Sequence, residues 1–342
     1  MNLNHLNDPW DALKEKVEFL KDPSSYYENC SQVTHIDTHM SLIFLTNQHA
    51  YKLKKPITFS YLDFSALENR RDNCIKEIEL NQYLAANIYL QLVPLMLNKE
   101  MQLVPVGHPD GEFVVDWFVK MNRFPREKTL DQSILKQDIN WTLAQEAANA
   151  LMSFYQASRP TCQASEAYLI KLQESIDKNE DALLNPEYGL NSALISDLHQ
   201  YQRYELQALA HEIRQRTMEG RVIECHGDLR PEHICLISPP TITDRLEFNR
   251  DLRIMDAAEE LAYFYLECEL LGNHDVGQLF LSTYQNRLNN SPSQRLWQFY
   301  KLLRACTRAK ISAWHLDDPR VNDLEKWYRR AHDYLAYASS NT

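Results

Sequence analysis

The chain has 342 residues, of which 44% are hydrophobic and 24% charged, and it carries a formal net charge of −11. That length suits two lobes better than one core, and the composition is that of a soluble globular protein. The acidic excess argues against a grip on nucleic acid or on an anionic membrane surface. No run of roughly 18 apolar residues occurs, and the polar N-terminus has no apolar signal core. The 7 cysteines are scattered without a CxxC pair, so a reducing, cytoplasmic setting is expected.

Residues 9–22 read as an amphipathic helix opening at Asp8-Pro9. SLIFL and AYKLK, separated by Thr46-Asn47-Gln48, read as a β-hairpin. Ser65, with Glu68 three residues on, is the expected cap of the next helix. Leu92–Met96, Met101–Val106 and FVVDWFVKM follow as strands. After Pro125 the periodicity turns helical, apart from an island of strand and loop over 221–249. The change of character near 118–125 divides a strand-rich part, 1–118, from a helical part, 119–342.

The island carries the chemistry. In VIECHGDLRPEHICLI a strand breaks at Gly227 and presents Asp228 on a loop, and Pro231 blocks continuation as a helix interior. HICLI and TITDRLEF read as two more strands, which would bring Asp228, His233 and Glu247 to neighbouring strand ends. Phosphoryl transfer from ATP needs one carboxylate to orient the acceptor hydroxyl and two further ligands for divalent metal. Asp228 and His233 stand five apart, the spacing of the kinase catalytic loop H-R-D-x-x-x-x-N. Upstream, Ala50-Tyr51-Lys52 fits the strand that supplies a phosphate-gripping lysine. Lys52 and Lys54 share a face by strand alternation, and either could serve.

These motifs resemble the aminoglycoside phosphotransferase and choline kinase-like superfamily, whose loop reads H-G-D-L-x-P-x-N. Here it is His226-Gly227-Asp228-Leu229-Arg230-Pro231-Glu232-His233, followed by Leu246-Glu247-Phe248 and by Met255-Asp256-Ala257-Ala258-Glu259-Glu260-Leu261-Ala262, which resembles the family's G-D-P-x-x-D-L-A helix start. THIDTHMSLIFL, AYKLKKP, YLDFSALENRR and LEFNRDLRIMD are similar to an uncharacterised bacterial branch. The resemblance implies an α+β, bilobal protein-kinase-like fold with a strand-rich N-lobe, a mainly helical C-lobe, and ATP bound with Mg2+ or Mn2+. It implies Asp228 as the catalytic carboxylate, with His226 and Arg230 shaping the loop. Lys76-Glu77 resembles the family's R-E-x-x-x-L segment, which makes Glu77 the expected ion-pair partner of Lys52. Ser41, in the turn 37–41, would help to cover the phosphates. Met121, in Val119–Asn122, would lie at the adenine-binding hinge.

Two positions depart from the pattern. His233 stands where the family has a metal-binding Asn, and Glu247 where it has Asp. Magnesium prefers oxygen ligands, whereas imidazole suits softer metals. Asp244 is an alternative to Glu247, although strand alternation would turn the two to opposite sides. The expected acceptor is a small molecule carrying a hydroxyl, possibly cationic given twelve carboxylates between Glu224 and Asp275. The departures also motivate a rival reading as an inactive nucleotide-binding pseudokinase. A metal-dependent hydrolase built on His226, Asp228 and His233 is a second rival.

Overall fold

The structure is a computed structural model that describes residues 8–59, 62–161, 165–318, 321 and 323–342. The N-terminal segment 1–7 and Tyr61 of YLDFSALENRR lie outside the described residues. The chain forms two compact units: residues 1–129 with 233–251, and residues 130–232 with 252–342.

The first unit opens with α1 (Pro9–Leu20), where Asp8 accepts the Trp10 N–H and Pro9 occupies the first turn. Strands β1 (Thr34–Asp37), β2 (Ser41–Leu45) and β3 (His49–Lys54) follow. A short hairpin of β4 (Thr58–Phe59) and β5 (Leu62–Asp63) leads into α2 (Leu67–Ala85). After it come β6 (Tyr89–Leu97) and β7 (Phe113–Asn122), so the expected break at 118/119 falls inside β7. The five long strands form one antiparallel sheet in the order β1-β2-β3-β7-β6.

Period-two alternation sorts the sheet's side chains. Phe44, Tyr51, Leu53, Leu95 and Phe118 cluster with Leu13 and Leu20 of α1. Ala50, Val119 and Met121 cluster with Cys74 and Ile78 of α2. Lys52 and Lys54 thus point toward α2. A buried ion triad ties three elements together: Asp116 of β7 accepts from Lys16 of α1 at 2.7 Å and from Arg70 of α2 at 2.8 Å.

Two local expectations fail for identifiable reasons. Ser65 does not cap α2, because the Asp63 carboxylate takes both its N–H and its hydroxyl, leaving Ala66 at the cap. Met101–Val106 is not a strand. Met101 adopts left-handed backbone (φ 59°), and Gln102, Leu103 and Val106 make isolated bridges in place of a ladder.

The helical unit holds α3 (Leu130–Leu135), α4 (Trp141–Ala157), α5 (Ser165–Leu183) and α6 (Ser192–Met218), then β8 (Val222–Glu224). The strands expected over HICLI and TITDRLEF shrink to β9 (Ile234–Cys235) and β10 (Thr241–Ile242), which belong to the first unit. Beyond Ile242 the ladder ends, and Asp244 turns left-handed (φ 64°). The chain then pairs β11 (Ile254–Asp256) with β8 and continues as α7 (Ala257–Leu270), α8 (His274–Leu288), α9 (Gln294–Trp314) and α10 (Leu324–Ser340). Asp256 caps α7 through the Ala258 N–H and receives the buried Arg216 guanidinium. Among the described residues no helix is long and apolar enough to cross a membrane.

Candidate active site

In the strand-rich unit β3 presents Lys52 and Lys54 to α2, and Glu77 answers both. Its Oε1 accepts from Lys52 at 2.8 Å, and its Oε2 accepts from Lys54. Glu77 is fully buried. Burial alone would raise its carboxyl, but the two ammonium groups outweigh it and hold Glu77 below the usual range. The same pairing, with the returning segment 244–247, raises both lysines against their own burial.

That segment delivers both acids to the lysines. Lys52 donates to Asp244 Oδ1 at 2.8 Å, and Lys54 pairs with Glu247. The alternation argument against Asp244 fails because no strand exists there. Its left-handed backbone, anchored by the Tyr89 hydroxyl on its N–H and by Asn81 on the Arg245 N–H, turns the carboxylate back to Lys52. The two acids differ in access. The Asp244 side chain is 44% exposed, and its Oδ2 lies 3.6 Å from His233 Nε2. Glu247 is only 9% exposed and is spent on Lys54. Lys52 beside it holds Asp244 well below the usual carboxylate range, whereas burial pushes Glu247 up.

In the helical unit the loop after β8 is held by backbone bonds. Glu260 of α7 accepts from the N–H groups of His226 (3.1 Å) and Gly227 (2.6 Å), while Tyr155 donates its hydroxyl at 2.7 Å. Buried His226 receives the Asp228 N–H on Nδ1 at 3.4 Å. Asp228 is thereby presented to Arg230, whose Nη2 lies 2.9 Å from Oδ2 and which also pairs with Glu232. On the other oxygen, Tyr263 donates its hydroxyl at 3.1 Å and Arg308 of α9 stands 3.7 Å away.

Two further expected residues sit as follows. Ser41 is buried at the start of β2, with its N–H on the Thr38 hydroxyl. Met121 is buried in β7, paired in register with Ala50 and Tyr89. Nothing in the sequence marks Tyr263 or Arg308, whereas Glu260 stands at the place of the second acid in the family's G-D-P-x-x-D-L-A helix start, which Met255–Ala262 resembles. Glu260 and Tyr263 do fall within the DAAEELAYF stretch, where one helical turn separates them.

No family model matches the chain. Uncharacterised proteins of Mycobacterium bovis and Mycobacterium tuberculosis are 27% identical over 289 residues, which is 80% of this chain and 53% of theirs. The chain therefore spans about half the length of the curated relatives it matches. Among solved structures, a choline/ethanolamine kinase family protein from Mesorhizobium loti aligns at TM-score 0.54 and 13% identity, covering 98% of this chain and 95% of that one. A choline kinase from Cryptosporidium parvum gives 0.53 at 12% identity over 97% and 95%. An ethanolamine kinase from Plasmodium vivax gives 0.52 at 13% over 100% and 98%. With an antiparallel-sheet unit followed by a helical one, the chain has the bilobal kinase-like fold that these choline and ethanolamine kinases share.

Proposed function

We propose that this protein is an ATP-dependent phosphotransferase acting on a hydroxyl group of a small molecule. The observation that carries the reading is the Glu77–Lys52–Asp244 chain of ion pairs, built in the same unit as His233. In kinase chemistry such a lysine, fixed by a helix glutamate, grips nucleotide phosphate, and a neighbouring aspartate serves the metal. Lys52 is our phosphate-binding residue. Lys54, fully buried between Glu77 and Glu247, positions Glu77.

The donor set fits a divalent cation only in company. Among the described residues no three His, Cys, Asp or Glu groups converge. Magnesium, however, is commonly held by one or two carboxylates together with substrate phosphates and water. Asp244 would hold it, with His233 beside it, and the cation would neutralise charge on the triphosphate. We assign that role to Asp244 rather than Glu247 because only Asp244 keeps accessible oxygen. Asp228 orients the acceptor hydroxyl and accepts its proton. Glu260 and His226 fix the loop that carries it, and we assign to Arg230, paired with Asp228, the charge that develops on the transferred phosphoryl group.

The reading is tested by calorimetric titration of the full chain with ATP, with and without Mg2+ or Mn2+, followed by ADP formation against a panel of hydroxyl compounds. Metal-dependent ATP binding and acceptor-dependent ADP formation are expected. Metal-dependent binding with no turnover on any acceptor would instead favour the pseudokinase reading, for which the histidine at 233 is the motive.

A further inference from the structure

The acidic count between Glu224 and Asp275 suggests a cationic acceptor, but five of those carboxylates are already engaged within the helical unit. Glu224 holds Arg253, Asp256 holds Arg216, Glu259 holds Arg304, and Glu269 holds Lys301. Glu267 takes the Tyr334 hydroxyl. What remains without a full set of partners beside Asp228 is positive.

Arg304 and Arg308 lie one turn apart on α9, and their guanidinium groups stand 5.9 and 5.6 Å from the centre of the Tyr263 ring. The ring's hydroxyl is the one that donates to Asp228. The Nε atoms of both arginines are buried with no hydrogen-bond partner among the described residues. Arg308 is the more deprived. Its side chain is 12% exposed, and among the described residues its one ion pair is with Asp228 at 3.7 Å, beyond hydrogen-bond length. A guanidinium offers five donors in a planar fork that matches carboxylate or phosphate. Burying one without acceptors is costly, and such a group in a folded protein calls for an explanation.

We propose that Arg308, with Arg304 next to it, binds an anionic group of the acceptor, so that the substrate is a hydroxy compound bearing a carboxylate or a phosphate monoester. The inference rests on Asp228 being the residue that receives the acceptor hydroxyl. Because Arg308 is 3.7 Å from that carboxylate, an anion on its unused edge places a hydroxyl a few bonds away within reach of Asp228. Arg230 and Arg308 together also disfavour a cationic head at the same place.

Direct binding separates this inference from the kinase reading. The full chain is titrated without ATP with hydroxycarboxylates, with sugar phosphates, with neutral polyols and with amino alcohols. Wild type should bind one of the two anionic classes, and whichever binds identifies the anion. Arg308→Gln should weaken that binding roughly 10- to 100-fold, and Arg308→Lys should restore only part of it. Neither change should lower the melting temperature appreciably, since Arg308 makes no hydrogen bond to a described residue; this guards against misfolding as the cause. In turnover the loss should fall on KM for the acceptor and leave ATP affinity unchanged. Binding of amino alcohols or polyols in preference to both anionic classes overturns the inference. So does no anion binding at 10 mM, or anion binding indifferent to Arg308→Gln. Failure to bind ATP would overturn the kinase reading and leave the anion result standing on its own.

Discussion

At the scale of single residues, two lysines and three acids form an alternating cluster whose members are not equivalent. Lys52→Ala removes the lysine assigned to phosphate and should cost about 10²-fold or more in kcat/KM. Lys54→Ala should cost mainly stability. In a double-mutant cycle Lys52 and Glu77 should couple rather than add, and full additivity, measured as ATP affinity, would contradict the contact. Asp244→Asn should abolish metal-dependent ATP binding, whereas Glu247→Gln should destabilise by about 1–3 kcal/mol and leave metal dependence in place. The reverse pattern would return the metal role to Glu247. His233→Asn then reads whether imidazole matters. If His233 touches the cation, the substitution shifts preference from Mn2+ toward Mg2+. Lys52, Lys54, Glu77 and Asp228 each stand in a spaced motif, which is why the sequence marks them as candidates. Strand alternation would turn Asp244 away from Glu247, but the strand ends at Ile242 and Asp244 is left-handed. Arg308 was invisible because nothing local in α9 marks a helix arginine that faces a residue eighty positions earlier.

At the scale of elements, β3 and α2 are joined by Glu77, and this sets a pH dependence. Glu77 sits below its ordinary value in the fold, so the stability it confers is full above the unfolded value of about 4.3 and is lost as pH falls through the folded one. The stability gap between wild type and Glu77→Gln, read by denaturant unfolding, should therefore be full at pH 6–7 and begin to shrink as pH falls below the unfolded value of about 4.3. A gap that widens on acidification would refute the ion-pair account. A second joint is Asp116 with Lys16 and Arg70. Asp116→Ala leaves two buried cations unpaired and should destabilise by about 3–5 kcal/mol, with no direct effect on transfer chemistry. Elements with long periodic patterns, such as α4 and α6, were readable from the chain alone. Met101–Val106 was not, because an apolar run reads as a strand whether or not a partner exists to receive its hydrogen bonds.

At the scale of the whole molecule, the sequence shows a strand-rich part giving way to a helical part. It does not show that residues 233–251 return to the first unit. That return is a long-range pairing with no local signature, yet it supplies Asp244 and Glu247 to the lysines of β3, with His233 beside Asp244. The division passes through the HGDLRPEH motif itself: Asp228 belongs to the helical unit, and His233, five residues on, to the strand-rich one. In the proposed reading the Asp228 carboxylate serves transfer to an acceptor while the lysine cluster serves the nucleotide. Transfer of label from γ-labelled ATP to a hydroxyl compound, measured in wild type and Asp228→Asn beside the ATP affinity of each, tests it most directly. The account predicts labelled product in wild type, a loss of about 10²–10⁴-fold in the variant, and nearly equal ATP affinities. Undiminished transfer by Asp228→Asn, or ATP affinity that falls along with transfer, would contradict it.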